Sequence, residues 1–450
     1  MNDWMDAETR VERAHDLYER GRWVEAAAEL RAAIEINPYN ASWYFNLALT
    51  LEALEDFERA CDAYTQALEL ESNDVETLNA LGVNLTRLGR YAEALEGFRR
   101  IERIDSSHEG CYCNRIITYT EMGDHEKAEL MFYLARQIKD ECPLCYYNIG
   151  NSLFARGLYD RAIDCWKQTL RLDGDHPQAH LRIAEAYWAK GDLEEARRHF
   201  QAELDHDGDD VELLLDYGEL LVDLEEYPQA QEMFQKVLRQ DGDNAAALFY
   251  LGEIALRRGK FSSAQQRFRK VLQKDPDFPD AHLRLAETLI RRGCPREARR
   301  HLSAELSRCG NDPASLQEIA QLLLEAQCSS DANAVLRKLV KLQPASAHAE
   351  HSLAVSCFMM QQLDEGILHC RRALKLKPDY PLALYNLALA HLKLNQASRA
   401  RRYAARAMTL APHDRNIRCL CRQLGVGGFW QRLCDHLLGR KNPDQMAELL

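Results

Sequence analysis

Small and apolar positions recur along the chain with a period of 34 residues. With repeats beginning at Ala7, Ala41, Val75, Glu109, Pro143, Pro177, Val211, Ala245, Pro279, Pro313, Ala347 and Pro381, twelve run to Asp414 without an inserted or deleted residue. The eighth residue is Ala or Gly in eleven of the twelve, Ile116 being the departure, and the twentieth is Ala or Gly in all twelve. Larger apolar groups flank both positions, as Leu47, Leu51 and Tyr64 do in the second repeat. The pattern predicts two helices per repeat that cross closely at the small residues. The turn between them falls at the fifteenth residue, which is Gly in seven repeats and Asn395 in another, residues that accept the left-handed conformation of a helix end. Pro38, Pro276, Pro344, Pro378 and Pro412 stop the second helix. A lone hairpin of this kind cannot bury its apolar face, so neighbours must stack.

These positions resemble the tetratricopeptide repeat family. Its pattern of aromatic or Leu, then Leu-Gly/Ala, Tyr/Leu, Ala, Phe/Tyr, Ala and Pro is met in the second repeat by Tyr44, Leu47-Ala48, Leu51, Ala60, Tyr64 and Ala67, with Ser72 in place of Pro. The resemblance covers residues 7–414 and implies an all-α fold: an α-solenoid in a right-handed superhelix, with a groove lined by the first helix of each repeat. It also implies that the chain binds other proteins or peptides, without naming them. Repeats ten and eleven, around Gln317-Glu318-Ile319 and Glu350-His351-Ser352, match least well. Outside the array, 1–6 is expected to be a tail and Arg415 to Leu424 a capping helix. Residues 425–440 are expected to hold a short amphipathic helix with Phe429, Trp430, Leu433 and Leu437 on one face. That helix reads either as a second cap or as an anchor for a partner or a membrane surface, and 441–450 as a loose tail.

At about 100° per residue, the fourth, seventh, eighth and eleventh residues of a first helix point to its partner helix, and the fifth, sixth, ninth and twelfth face away. The fifth residues include Leu181, Leu215, Phe249 and Leu283, too apolar for a simple solvated face. The ninth are Glu185, Glu219, Glu253 and Glu287 in four consecutive repeats, a carboxylate ladder suited to a segment that alternates basic and apolar residues. A solvated charged face is the plainer alternative. At the sixth position stand Asn46, Asn114, Asn148 and Asn386, each able to give a donor and an acceptor to an extended peptide backbone. This set resembles the asparagine ladder in the repeat half of the O-linked N-acetylglucosamine transferases, but Ala80 and Arg182 interrupt it and no glycosyltransferase domain is present. The dicarboxylate clamp of chaperone-binding members finds no complete set of basic and Asn residues here.

Charge adds polarity to this picture: residues 1–250 hold 25 basic against 51 acidic residues, and 251–450 hold 32 against 19. Opposite ends allow head-to-tail self-association, while overall acidity and the absence of any nucleic-acid motif argue against nucleic acid. The first residues lack a basic and an apolar signal region, and no stretch approaches the ~18 apolar residues of a membrane span, so the chain reads as cytoplasmic. Its 14 Cys are then expected as reduced packing groups without disulfides. One constellation, Cys111, Cys113, Cys142 and Cys145, has metal-like spacing, but Cys113 is expected to face outward, two residues round the helix from Cys111, and packing thiols are preferred to a metal or redox site. No phosphate loop, nucleophile elbow or zinc-hydrolase helix is found. The expectation is a non-catalytic scaffold with no cofactor, the alternative being an adaptor subunit of a separately encoded enzyme.

Overall fold

The computed structural model describes residues 2–139, 141–206 and 208–426. They form an α-solenoid of helix-turn-helix repeats, with no strand among the described residues. The chain divides into two compact bodies, Met1–Ala230 and Gln231–Leu450.

The close crossing of each hairpin has a specific partner. In the first body a Cβ on Gly82 would lie 2.5 Å from Phe98 Cε1, and one on Gly150 would come closer still to Trp166 Nε1. In the second body a Cβ on Gly252 would come within 2.6 Å of Phe268 Cε1. Gly at the eighth position therefore answers a ring at the twenty-fourth that is pressed onto the first helix. Phe98, Trp166 and Phe268 are fully buried, whereas Phe132, opposite the exceptional Ile116, is 8% exposed and meets Tyr146 edge-on at 5.1 Å.

Every fifteenth residue takes positive φ, including Glu55, Glu225, Gln327 and Gln361 at 59–62°. Hairpin packing thus imposes this turn even where no Gly or Asn invites it.

Three boundaries differ from the sequence expectation. The first helix runs Asn2–Glu19, so the expected tail is helical, no Gly or Pro standing before Ala7 to stop it. In repeats six and nine the first helix begins at Ala179 and Ala281, after Gln178 and Asp280 in the left-handed region; Pro at the first position is not the cause, since the helices of repeats five, ten and twelve begin at Pro143, Pro313 and Pro381. After repeat twelve, the helix Arg415–Gln423 is capped by Asp414 and buries Ile417, Leu420 and Cys421 with Ala400 and Ala404. The amphipathic segment and tail expected after it lie, from residue 427 on, outside the described residues.

Candidate functional site

The fifth and sixth positions divide labour differently from the sequence expectation. Phe249 and Leu283 are buried at 9% and 2% exposure and share one core cluster, Phe249 also meeting Phe278 at 5.1 Å. They offer a ligand almost no surface, because facing away from the partner helix at the fifth position means facing the first helix of a neighbouring repeat. Leu181 and Leu215 are half-buried. The accessible side groups of these helices are at the sixth and ninth positions, one turn further round.

In the second body the carboxylates are already neutralised. Arg284, at the sixth position of repeat nine, lies 3.2 Å from Glu253, 3.2 Å from Glu287 and 2.7 Å from Glu318. Burial pushes the Glu253 carboxyl up despite the pull of Arg284 and Arg257. The expected ladder of free carboxylates is therefore closed at Glu253 and Glu287.

The first body keeps an open arrangement. Arg182, the counterpart of Arg284, pairs with one carboxylate, Glu185, at 2.9 Å and also bonds Tyr147, while its buried Nε has no partner among the described residues. Asp216, the counterpart of Glu318, has no basic partner among the described residues. Burial, with Glu185 and Glu219 beside it, pushes the Asp216 carboxyl up to about 6. A cavity of about 480 Å³ opens here between the first helices of repeats six and seven. Its walls carry six acidic residues, Asp175, Glu185, Glu203, Asp210, Glu212 and Asp216, against Arg182 and three histidines, His176, His180 and His206, with Leu181 as an apolar wall. Glu203 is held as a helix cap, accepting the N–H groups of Gln178 and Leu181 at 3.2 Å each. Asp210 likewise caps its own helix, accepting the Glu212 N–H at 2.8 Å, and Asp175 faces His206 at 3.8 Å; Glu212 and Asp216, with Glu185 beside them, favour a cation.

The asparagines do not form one ladder. Asn46 is exposed and Asn148 half-buried. Asn114 donates to Asn79 Oδ1 at 2.8 Å, and the Asn386 amide lies 2.9 Å from His351 Nε2. Asn114 and Asn386 thus each spend a hydrogen bond on the fifth residue of the preceding repeat.

A sequence signal that the small-residue pattern hides lies in the kinship of repeats six and nine. Both read Pro-x-Ala-His-Leu-Arg at their start, then Glu185 or Glu287, and Ala-Arg-Arg-His in the second helix. The structure pairs His180 with His199 and His282 with His301, Nδ1 to Nδ1 at 3.0 and 2.8 Å. Burial holds all four imidazoles below their ordinary range, His199 at about 4. Repeat eleven places Glu350 and His369 at the same two positions, 2.6 Å apart and buried. Its departure from the repeat pattern is thus a polar bridge, with Glu350 standing at the fourth position, where eight of the twelve repeats carry Leu or Tyr.

The cysteines overturn two expectations. Cys113 does not face outward: it is 5% exposed, and it is bonded as a disulfide to Cys145, with the Cα atoms 5.3 Å apart. Like Phe249 and Leu283, it occupies a fifth position, and there it meets the next first helix. Cys142 lies 3.7 Å away, sulfur to sulfur, so the three sulfurs lie within 4.8 Å of one another. Cys111 stands apart, its thiol donating to the Phe98 carbonyl at 3.1 Å. Cys61, Cys357, Cys370 and Cys421 are buried free thiols.

Among the described residues no helix is long and apolar enough to cross a membrane. No characterised protein sequence matches the chain. Its fold is similar to that of a chain in the APC/C hetero-tetramer Cut9-Hcn1, at 13% identity over 91% of this chain and 95% of that one, with a TM-score of 0.43. It is similar also to yeast Tom70, at 15% identity over 96% and 99% of the two chains, with a TM-score of 0.40. A thermophilic TPR protein of Thermus thermophilus matches at 23% identity over 41% of this chain and all of its own, with a TM-score of 0.38. Models of the tetratricopeptide repeat match residues 45–109, 147–211, 318–381 and 360–415, and also 187–251, 221–268 and 255–322. A further TPR repeat model matches 14–55. With its helix pairs, its small-residue crossings and these matches along most of its length, the chain belongs to the tetratricopeptide repeat family.

Proposed function

We propose that this protein is a non-catalytic scaffold that holds extended segments of other proteins against the first helices of repeats six and seven, seating a basic side chain of the segment between Glu185 and Asp216. The observation that carries this reading is Asp216, a half-buried carboxylate beside Glu185 and Glu219, with no basic partner among the described residues, in a cavity walled by six acidic residues, one Arg and three His. An ammonium or guanidinium entering there offsets the burial and the neighbouring negative charge that raise the carboxyl, while apolar neighbours on the segment cover Leu181. Exposed charge pairs are worth only about 0–1 kcal/mol, so much of the affinity comes from apolar burial and from the better-shielded Asp216. The same reasoning excludes Glu253 and Glu287 as the cationic subsite, since Arg284 holds them.

The test is fluorescence anisotropy of the full chain with labelled extended peptides carrying one Lys among apolar residues, against the same peptides with an uncharged isostere. The Lys peptides are expected to bind more tightly, and Glu185→Gln with Asp216→Asn to weaken them about tenfold at low salt, about 1.4 kcal/mol, and less at high salt. Glu253→Gln with Glu287→Gln is expected to leave binding unchanged. Equal binding of charged and uncharged peptides, or a loss confined to the second pair of changes, rejects the assignment.

A further inference from the structure

The three sulfurs of Cys113, Cys142 and Cys145 belong to no part of the peptide-binding face. We infer that in the reduced protein they bind one thiophilic divalent ion, Zn(II), which ties the first helix of repeat four to the start of repeat five.

The geometry comes from two separate parts of the fold. Cys113 sits on the first helix of repeat four, Glu109–Glu121. Cys142 and Cys145 are the N-cap and the third residue of the helix Pro143–Ala155 in repeat five. Pro143 starts that helix at the position where its missing N–H costs nothing, which fixes the Cys-Pro-Leu-Cys turn with both sulfurs on one side. All three residues are buried, at 5%, 2% and 1% exposure. Around a tetrahedral ion with Zn–S bonds of ~2.3 Å, sulfurs stand ~3.8 Å apart. Cys113 and Cys142 are already 3.7 Å apart, and Cys145 Sγ lies within 4.8 Å of Cys142; bonded to Cys113 in this structure, it has to move away from Cys113 on reduction to reach that spacing.

One backbone contact favours a thiolate at Cys142, although burial and the neighbouring Glu109 carboxylate push its thiol up to about 11. The Cys145 backbone N–H donates to Cys142 Sγ at 3.3 Å, and Cys142 lies at the positive end of its helix. Glu109 offers an oxygen donor for the fourth position: its carboxylate lies beside Cys142 and pairs with Lys139 at 3.1 Å. Simple packing thiols need no such convergence, and Cys111, two residues from Cys113, shows how one is accommodated, with its thiol on a backbone carbonyl.

The Cys113–Cys145 disulfide and the metal are alternative uses of the same sulfurs. Dithiothreitol gives the disulfide two electrons and two protons and is itself oxidised to a cyclic disulfide. Zn(II) then displaces the three thiol protons, which leave to solvent, and three Zn–S bonds form. No electrons move in this second step.

The experiment uses the full chain, reduced with dithiothreitol and desalted without oxygen, then titrated with Co(II) as a spectroscopic probe and with Zn(II) in competition against a chromophoric chelator. One ion per chain is expected, with sulfur-to-cobalt charge-transfer absorption that Zn(II) abolishes. Cys113→Ser, Cys142→Ser and Cys145→Ser are each expected to weaken binding at least about tenfold, and Cys111→Ala to leave it intact. Because a serine here could loosen the fold, alkylation of the unaltered protein supplies a second readout: Zn(II) is expected to protect Cys113, Cys142 and Cys145 together from a maleimide under mild denaturant, and Cys61 not at all. A reduced protein that shows no thiolate–cobalt absorption, or in which Zn(II) protects none of the three, overturns the inference.

Discussion

Replacing Asp216 by Asn is expected to stabilise the protein above about pH 6 and to leave it unchanged near pH 4. Burial, with Glu185 and Glu219 nearby, makes the folded carboxyl hold its proton up to about pH 6, whereas an unfolded Asp releases it near ~3.9. Across that window the folded state binds more protons than the unfolded, so stability falls as pH rises and the whole penalty is present above it. Two pH units correspond to about 3 kcal/mol as an upper bound, and because the group is only half-buried, solvent screening brings the figure to about 1–2 kcal/mol. Asn keeps the shape and removes the charge. Thermal melts of the two proteins, followed by circular dichroism from about pH 4 to pH 8, should separate by roughly 2–6 °C at the alkaline end and converge at the acid end. The half-buried His180–His199 pair, with His199 held down to about 4, adds its own pH dependence of opposite sign. It is common to both proteins, so the difference isolates Asp216. An Asn variant that melts lower at alkaline pH would mean that a cation already holds the carboxylate. A difference that does not vary with pH would mean that charge is not the cause, and either result refutes the reasoning for the cationic subsite.

Further outcomes follow from the hairpin geometry. Gly150→Ala drives a Cβ into Trp166 Nε1, whose N–H bonds the Tyr147 carbonyl at 3.1 Å. Overpacking of about 1–3 kcal/mol should exceed the roughly 1 kcal/mol gained in helix propensity, and urea unfolding should show the loss. Gly97→Ala, within the helix Tyr91–Ile104, meets only the Leu78 carbonyl at 3.8 Å and should instead gain up to about 1 kcal/mol. At the turns, Gly89→Ala should cost about 1 kcal/mol although its Cβ meets nothing within 4 Å, because φ is +73°. Gln361→Gly, at φ 62°, should raise stability by up to about 1 kcal/mol in the same assay.

The fold was legible because its signal is repeated twelve times without a slip. One small residue at the eighth position says little, but eleven at a fixed period leave the helix pairs no other register. The turns were legible at Gly21 or Gly89 and invisible at Glu55, Glu225, Gln327 and Gln361, where the chain adopts the same φ against its local preference. Those four turns are set by the packing of the helices they join, a tertiary cause that no local pattern records. Likewise, helix periodicity placed Leu283, Phe249 and Cys113 away from their own partner helices, which is correct within a hairpin and incomplete within a stack. Their burial comes from the adjacent repeat, whose distance depends on the bulk of many side chains at once.

The binding site was half legible for a related reason. A ladder of Glu at the ninth position can be read from one sequence, but whether each Glu is available depends on the sixth position of its own repeat and on residues in the flanking repeats. In repeat nine three carboxylates converge on Arg284, two of them contributed by the repeats before and after it. In repeat six the sequence offers Arg182 and Glu185 in the same places, but Asn151 stands where Glu253 would be, and the shorter Asp216 where Glu318 would be. One carboxylate fewer before the Arg, and one that is shorter after it, leave Asp216 without a cation among the described residues and its carboxyl raised. Two repeats with nearly the same motif are thus opposite in chemistry, one a closed ion network and the other an acidic cavity. What distinguishes them is the neighbour on each side, so in a solenoid of this kind the unit that specifies a binding site is three consecutive repeats rather than one.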